Sequence, residues 1–213
     1  MEKDSIYLIG AGNHAKVVMT MLEVCGFACK GIYDDNESMW GKEIWNVPVL
    51  GPTTDLPDKE GIMAVIGIGS NQTRKEISER FENVVWPVLI HPTSVVHSST
   101  RIGGGTVILP GCIIQADAKI GHHTIINTGA VVDHDCIIGN YCHLAPRCCV
   151  ADGVAVDDGA FIGMGSVVIP YTHIASNVVL GPGSTAVKNL DSEGVYFGTP
   201  AHRVPKFLIP DAD

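Results

Sequence analysis

Residues 129–153 read GAVVDHDCIIGNYCHLAPRCCVADG, a stretch in which reactive side chains overlie a regular apolar spacing. Every sixth residue from position 96 to position 180 is Val, Ile or Leu, and this register includes Val132, Ile138 and Leu144. The positions four residues later carry small or medium-sized side chains throughout, from position 100 to position 184. A fixed period held over this length is typical of a repeat architecture.

The six-residue period predicts a solenoid of short parallel strands. In each hexad the β-branched or Leu residue fills the interior, and the small residue points inward near a corner where space is tight. Three strands make one triangular coil of 18 residues, so the fifteen hexads predict five coils stacked at about 4.8 Å. Glycines such as Gly121 and Gly139 suit the turns between strands.

The cysteines of this region are predicted to be core residues rather than metal ligands or disulfides. Cys112, Cys136, Cys142 and Cys148 all fall in the small-residue column, where a free thiol packs as a small hydrophobe. Residues stack only when they are 18 apart, and no cysteine pair has that spacing. Cys112 and Cys148 lie two coils apart, about 10 Å, which is too far for a shared metal or a disulfide. Cys149 is expected to point outward.

Composition limits the class of protein. The 213 residues are 46% apolar with a mean hydropathy of +0.22, which suits buried strands or an oligomer that hides apolar surface. A net charge of −9 argues against a nucleic-acid partner. We expect no signal peptide, because the first ten residues lack a long apolar core, and no membrane insertion, because apolar runs stay far below the roughly 20 residues that span a bilayer. The seven cysteines are then expected to be reduced thiols in the cytoplasm.

The first 90 residues follow a different pattern, which predicts a small α/β domain. Strands are predicted over 5–9, 30–33, 62–68 and 84–90, and helices over 14–24 and 72–82. Strands that alternate with helices are typical of a parallel sheet. We therefore expect two domains, an α/β domain at 1–90 and a solenoid domain with a short C-terminal tail at 91–213.

A glycine-rich turn follows the first predicted strand. Residues 10–15 read GAGNHA, which fits G-x-G-x-x-A, and Asp34 and Asp35 follow about 20 residues later. Taken alone, this motif favours a dinucleotide, but 90 residues are too few for the two mononucleotide halves that a dinucleotide needs. One half can still hold the pyrophosphate or base of a nucleotide sugar at glycine-rich strand ends. A tight βα turn without a ligand is the alternative.

His134 is the candidate general base. As the third residue of its hexad it should project outward near a corner, and Asp133 and Asp135 flank it. An adjacent carboxylate raises the basicity of an imidazole and holds one tautomer. His143 lies half a coil away and should face another side, which excludes a metal shared with His134 within one chain. Four further histidines are expected to be solvated, namely His97, His122, His123 and His173.

Several segments together resemble one family. They are the hexapeptide repeat, NTGAVVDHDC at 127–136, IGNYCH at 138–143, GTPA at 198–201 and, in the first domain, GAGNH, the Asp pair and IGIGSNQTRK. These segments resemble the left-handed β-helix acyltransferases, in the branch that acetylates nucleotide-linked amino sugars. That branch includes bacillosamine-pathway and perosamine-type N-acetyltransferases, with sialic acid O-acetyltransferases close by. The resemblance implies a small Rossmann-like α/β domain, which binds the nucleotide sugar, followed by a left-handed parallel β-helix.

The resemblance also implies a role for particular positions. His134 is implied as the general base and Asp135 as the acid that orients it, with Asp133 as a substitute because Asp is one methylene shorter than the Glu of some members. Implied acetyl-CoA contacts are His143, Gly163, Met164, Gly181 and Pro182, of which Pro182 has no N–H to donate. Implied nucleotide-sugar contacts are Gly12, Asn13, His14, Asp34, Asp35 and Gly69.

The activity implied by the resemblance is transfer of acetyl from acetyl-CoA to the 4-amino group of a nucleotide-linked 4-amino-4,6-dideoxyhexose in bacterial surface-glycan biosynthesis, without a metal. It also implies a homotrimer with active sites between subunits. A trimer would cover outward apolar residues, namely Val107, Ile113, Ile125, Val131, Ile137 and Val167. Three alternatives remain: a sialic acid-type O-acetyltransferase, a zinc hydratase of the γ-carbonic anhydrase type, and a nucleotide-sugar-binding regulatory protein. Against the zinc hydratase, this sequence lacks the His-x4-His pair that is part of the metal site in the γ-carbonic anhydrase family.

Overall fold

A computed structural model describes residues 4–205 and shows an α/β unit followed by a parallel β-solenoid. The predicted fold class, an α/β N-terminal region followed by a β-helix of hexapeptide repeats, is confirmed. The C-terminal tail expected at 206–213 lies outside the described residues.

The α/β unit contains a five-stranded sheet in the order β3-β4-β2-β1-β5, in which only the β3–β4 hairpin is antiparallel. Its elements are β1 (Ser5–Ile9), α1 (Asn13–Val24), β2 (Ala28–Tyr33), β3 (Glu43–Ile44), β4 (Val47–Gly51), β5 (Ala64–Ile66) and α2 (Asn71–Ser78). The parallel strands β2, β1 and β5 end at one edge, so the loops that follow them lie together at that edge.

Both helices lie where the apolar spacing predicts, but their ends differ from the prediction. α1 begins directly after Gly12 and buries one face through Ala15, Val18, Met21 and Leu22. The Ser70 side chain caps the first turn of α2. This helix ends at Ser78, four residues earlier than predicted, and Glu79 is its C-cap. No helix within residues 4–205 is long and apolar enough to cross a bilayer.

The solenoid is built from two-residue strands that recur every six residues and pair with strands 18 residues away. They are β6 (Leu89–Ile90), β7 (Val95–Val96), β8 (Arg101–Ile102), β9 (Val107–Ile108), β10 (Ile113–Ile114), β11 (Lys119–Ile120), β12 (Ile125–Ile126), β13 (Val131–Val132), β14 (Ile137–Ile138), β15 (His143–Leu144), β16 (Cys149–Val150), β17 (Ala155–Val156), β18 (Phe161–Ile162), β19 (Val167–Val168), β20 (His173–Ile174), β21 (Val179–Leu180) and β22 (Thr185–Ala186). A hairpin of β23 (Val195–Phe197) and β24 (His202–Val204) closes the last coil.

The strands form three parallel faces. The docked face consists of β6, β9, β12, β15, β18 and β21, the apolar face of β7, β10, β13, β16, β19 and β22, and the mixed face of β8, β11, β14, β17 and β20. Along the chain each coil runs from the docked to the apolar to the mixed face. The corner between the apolar and mixed faces therefore lies opposite the docked face.

The repeat extends one strand beyond the predicted hexads at each end. Leu89–Ile90, which the sequence analysis placed in the α/β domain, pairs with Val107–Ile108 on the docked face. Thr185–Ala186 pairs with Val167–Val168 and adds a strand after the last predicted hexad. Its core residue is Ala186, so the apolar signal that defines the period is weaker there.

The interior of the solenoid follows the predicted columns. The four column cysteines, Cys112, Cys136, Cys142 and Cys148, are fully buried beside the Val, Ile and Leu residues of neighbouring strands. The docked face is covered by the α/β unit, since Val107, Leu109 and Ile125 pack in one cluster with α1. The expectation that Val107 and Ile125 are exposed without an oligomer is therefore wrong, because α1 of the same chain covers them.

Candidate active site

His134 lies in the turn between β13 and β14, at the corner between the apolar and mixed faces. Its side chain is exposed, and its Nδ1–H donates to Asp135 Oδ2 at 2.8 Å. The Asp133 side chain accepts from the backbone N–H of His134 at 2.8 Å. Asp135 therefore contacts the imidazole, despite its short side chain, whereas Asp133 supports the turn.

The backbone explains how so short a carboxylate reaches the ring. Asp135 has φ of 59°, a left-handed conformation that Asp tolerates better than most residues, and its N–H donates to Ala116 O in the preceding coil. The hydrogen bond from His134 to Asp135 is the main reason that the pKa of His134 is raised, and the negative charges of Asp133, Asp135 and Asp152 act in the same direction. With Nδ1–H directed at Asp135, the lone pair of the neutral ring is on Nε2, which is free to accept a proton.

Asp152 and Tyr171 complete this corner and were missed by the sequence analysis. Asp152 stacks 18 residues after His134, and its carboxylate is the main reason that the pKa of Tyr171 is raised. The Tyr171 ring lies over Gly153, close to where a Cβ on that glycine would be. The signal that identifies Asp152 in the sequence is its 18-residue spacing from His134.

His143 lies on the docked face, away from His134, and beneath the α/β unit. The structure brings it against His14 of α1, with ring centroids 6.2 Å apart, and edge-on to Phe161. Asn127 Nδ2 donates to His143 Nε2 at 3.0 Å, whereas His143 Nδ1 and His14 Nε2 are buried without a hydrogen-bond partner within residues 4–205. Burial, followed by the charge of Arg74, lowers the pKa of His143 to about 3 and that of His14 to about 4.

The other residues predicted to hold a nucleotide sugar lie at the carboxyl edge of the α/β sheet. Gly12 and Asn13 form the start of α1, and Gly69 lies in the loop between β5 and α2. The carboxylate of Asp34 accepts from Ala11 N at 2.6 Å, so it holds the glycine-rich turn. The carboxylate of Asp35 accepts from the backbone N–H and the hydroxyl of Thr53. Both aspartates therefore shape the loops in this structure.

Four of the residues predicted to contact acetyl-CoA stack at the corner between the docked and apolar faces, whereas the fifth, His143, lies apart from them beneath the α/β unit. Gly163 and Met164 lie one coil before Gly181 and Pro182, and Met164 is exposed. The N–H of Gly163 donates to Leu180 O at 2.7 Å, so it is already engaged within the solenoid. The Phe197 ring packs directly on Gly181, where a Cβ would overlap it.

Two of the histidines that were expected to be solvated have specific partners instead. His123 is buried between the rings of Trp86 and Tyr141, and this burial lowers its pKa to about 4. His173 is partly buried, and its Nε2 lies within hydrogen-bonding distance of Asp157 Oδ2, at 2.9 Å. The expectation was wrong for His123 because the α/β unit and the polypeptide near residue 86 cover that corner, which the hexad register does not indicate.

The thiols and carboxylates show no cluster suited to a metal. Within residues 4–205, no group of three or more His, Cys, Asp or Glu side chains is placed to hold an ion. Burial raises the pKa of the column thiols, to about 11 for Cys136 and to about 12 for Cys142 and Cys148. These thiols are poor nucleophiles at neutral pH.

Comparison with known proteins agrees with this architecture. The family model of the PglD N-terminal domain matches residues 5–81, and that of the bacterial transferase hexapeptide (six repeats) matches residues 117–152. A variant of perosamine N-acetyltransferase from Caulobacter crescentus, solved with CoA and GDP-perosamine, is 36% identical with a TM-score of 0.89, over 95% of this chain and 97% of that one. The chain belongs to this family of hexapeptide-repeat sugar N-acetyltransferases.

Further relatives are more distant or only partly covered. The acetyltransferase domain of PglB from Neisseria gonorrhoeae FA1090 is 28% identical with a TM-score of 0.87, over 94% of this chain and 100% of that chain. UDP-N-acetylbacillosamine N-acetyltransferase of Bacillus subtilis is 36% identical over 115 residues, which are 49% of this chain and 51% of that protein. A mimivirus protein, L142, matches over only 21% of its own length. The chain thus spans about half or less of the curated relatives it matches.

Proposed function

We propose that this protein transfers the acetyl group of acetyl-CoA to the 4-amino group of a nucleotide-linked 4-amino-4,6-dideoxyhexose during bacterial surface-glycan biosynthesis. The observation that carries the proposal is the exposed pair of His134 and Asp135, set at a solenoid corner in a chain of this family. The perosamine enzyme was solved with CoA and GDP-perosamine, which supports the same classes of donor and acceptor here. We also propose that the reaction takes place in the cytoplasm. The α/β domain that binds the acceptor and the β-helix domain that carries His134 are proposed to divide near residue 90.

The proposed reaction is a direct transfer with one proton acceptor. The amine nitrogen attacks the thioester carbonyl, the C–N bond forms, and the C–S bond breaks as CoA thiolate leaves. His134 Nε2 accepts the proton that the nitrogen loses, and Asp135 holds Nδ1–H and stabilises the imidazolium. A backbone N–H stabilises the oxyanion that develops on the thioester carbonyl. The buried column cysteines take no part, so no acyl-enzyme forms.

We assign the acceptor's nucleotide to the loops at the carboxyl edge of the α/β sheet. The start of α1, with Gly12, Asn13 and His14, presents backbone N–H groups and the positive end of the helix dipole to a pyrophosphate. A Cβ at Gly12 would meet no atom within 4 Å, so this turn is open to a ligand. Asp34 and Asp35 hold the neighbouring loops in position and complete the predicted set together with Gly69.

We further propose a homotrimer in which each active site lies between two subunits. His134 lies at the corner opposite the docked face, so it faces away from the α/β unit of its own chain. An acceptor held by one α/β unit therefore reaches the His134 of another chain more readily than its own. The apolar face lies between the corner with His134 and the corner with Met164. Packing apolar faces about a threefold axis would bring these two corners of neighbouring chains together.

The apolar face has the surface that such packing requires. Its outward column runs through Val95, Ile113, Val131, Cys149 and Val167, stacked in register along consecutive coils. Val95 is 65% exposed, and Ile113 and Val167 are each 39% exposed. A continuous apolar column of this kind is typical of an interface rather than of a solvated surface.

The test is release of free thiol from acetyl-CoA in the presence of UDP-, dTDP- and GDP-linked 4-amino-4,6-dideoxy sugars, with free sialic acid as a control. We expect rapid turnover with one amino sugar and none with sialic acid. Turnover with sialic acid alone would replace the proposal by sugar O-acetylation. No turnover with any acceptor, together with bound zinc in the purified protein, would favour the hydratase alternative.

Shared active sites predict that two inactive chains restore activity when they form mixed trimers. One chain carries His134→Ala, and the other carries Gly12→Glu, which places a charged side chain where the nucleotide phosphates are assigned. Each variant alone should be inactive, whereas co-expressed chains with different affinity tags should regain part of the wild-type turnover. In the control, a chain that carries both substitutions is co-expressed with the Gly12→Glu chain. This mixture should stay inactive, because neither chain has an intact Gly12. Failure of the mixed trimers to regain activity would place each site within one subunit.

A further inference from the structure

Arg74 is a buried cation in α2 that joins the two units of the chain. Its side chain is 1% exposed. On the α/β side, Nη1 donates to Gly69 O at 2.8 Å and Ile68 O at 3.3 Å, and Nη2 donates to Asn71 Oδ1 at 2.8 Å. These bonds fix the loop that carries Gly69, which is part of the proposed nucleotide-sugar site.

On the solenoid side, the same guanidinium binds backbone carbonyls of two successive coils. Nε donates to His123 O, and Nη2 donates to Tyr141 O and Cys142 O, each at 3.0 Å. His123 and Tyr141 stack 18 residues apart at the corner between the mixed and docked faces, and both have left-handed φ values, 50° and 56°. The regular turn of the solenoid thus presents a row of carbonyl oxygens, and the planar fork of Arg74 matches that row.

Asn71 continues the same contact onto the third coil. Its Nδ2 donates to Gly159 O at 2.9 Å and Ala160 O at 3.2 Å, which stack on Tyr141 and Cys142. Arg74 and Asn71 therefore set the position of α2 along three consecutive coils. The acceptors of Arg74 within residues 4–205 are carbonyl and amide oxygens, and no carboxylate of these residues forms an ion pair with it.

The uncompensated charge faces the histidine pair. The titratable groups that act on His143 are Arg74 from α2 and His14 from α1, and its solenoid contacts, Asn127 and Phe161, are neutral. Arg74 is likewise the charge that acts on His14. The positive charge of Arg74 favours the neutral form of both rings, and burial, which is the larger effect, acts in the same direction.

We propose that Arg74 is a positioning residue: its hydrogen bonds to the Gly69 loop and to the carbonyls of two coils set that loop, and with it the acceptor site, against the solenoid. Its charge adds to the larger effect of burial, which lowers the pKa of His14 and of His143. This inference rests on the proposed function for its kinetic consequences. In the neutral pair, His143 Nε2 can keep the hydrogen bond that it accepts from Asn127, whereas two imidazolium rings beside Arg74 would repel each other. In the proposed reaction, Arg74 does not contact the reacting atoms.

The first measurement needs no substrate. The imidazole titrations of His14 and His143 are followed by NMR in the wild type, Arg74→Gln, Arg74→Lys and Asn71→Ala. We expect the wild-type rings to stay neutral down to about pH 5. Arg74→Gln should raise both midpoints, whereas Arg74→Lys and Asn71→Ala, which keep the charge, should leave them near the wild-type values. Unchanged midpoints in folded Arg74→Gln would overturn the electrostatic part of the proposal.

The second measurement separates KM from kcat with the acceptor found in the thiol-release panel. A loop displaced by about 1 Å is expected to lower acceptor kcat/KM by about 10²-fold in Arg74→Gln, mainly through KM. Arg74→Lys should recover part of that loss because it keeps the charge. A wild-type acceptor KM in folded Arg74→Gln would overturn the proposal. If the wild type shows no turnover at all, the proposed function fails and the titrations still decide the role of Arg74.

Discussion

Replacement of His134 by alanine is expected to lower kcat by about 10²–10⁴-fold, the range that a positioned general base contributes. The ring is exposed and contacts only its own turn, so the variant should fold and assemble as the wild type does. The KM values for acetyl-CoA and the acceptor should change little, because the base acts on a proton rather than on the bulk of either substrate. The measurement is steady-state thiol release, with circular dichroism to confirm the fold.

The matched control is His97→Ala. His97 is an exposed histidine at the same corner of the solenoid, where its Nδ1 contacts Ser99 Oγ at 2.9 Å, and it should be dispensable. Asp135→Asn provides a graded test, because Asp135 is the main cause of the raised pKa of His134. In this variant, the acid limb of the pH profile of kcat/KM should move to lower pH, and turnover should fall. Near-normal kcat in His134→Ala, or ping-pong kinetics, would contradict the assigned mechanism.

The solenoid was predictable from the sequence because its information is local and repeated. Val132, Ile138 and Leu144 each occupy the same position in successive strands, so the period alone assigns residues to the core and to the corners. The prediction was incomplete at the two ends of the solenoid, where the six-residue repeat of Val, Ile and Leu stops or adjoins the α/β unit. Ala186 keeps the register with a small side chain, so its strand was missed. Leu89–Ile90 lies in a segment predicted as a strand, but it was assigned to the α/β domain because it follows an α/β segment.

The candidate site was predictable only in its local part. His134 and Asp135 are neighbours in sequence, and the outward position of the histidine follows from the hexad register. The contact between His14 and His143 depends on how the α/β unit docks on the solenoid, and that docking uses hydrogen bonds from Arg74 to backbone carbonyls. Every residue has a carbonyl, so such contacts leave no pattern in the side chains. For the same reason the burial of His123 was not foreseen.

The free energy of unfolding is expected to fall steeply as the pH drops from 6.5 toward 4. Burial lowers the pKa of His123 to about 4 and that of His143 to about 3, from 6.5 in the unfolded chain. In this window the unfolded chain binds a proton at each site while the folded chain does not, so stability rises with pH and is lost as the pH falls. Each site contributes a slope of about 1.4 kcal/mol per pH unit near pH 5. His14, whose pKa is also lowered to about 4, contributes in the same direction, so the three sites together give about 4 kcal/mol per pH unit.

Urea unfolding at a fixed protein concentration between pH 4.5 and pH 8 measures this slope, and His123→Phe isolates the contribution of His123. Phenylalanine keeps an aromatic ring between Trp86 and Tyr141, and it removes both the proton site and a buried Nδ1 that lacks a partner within residues 4–205. The variant should lose about 1.4 kcal/mol per pH unit of slope near pH 5 and gain stability relative to the wild type at acid pH. His97→Gln, at an exposed site, should leave the slope unchanged. A wild-type slope in His123→Phe would mean that His123 is protonated in the folded protein, and that burial does not keep this ring neutral.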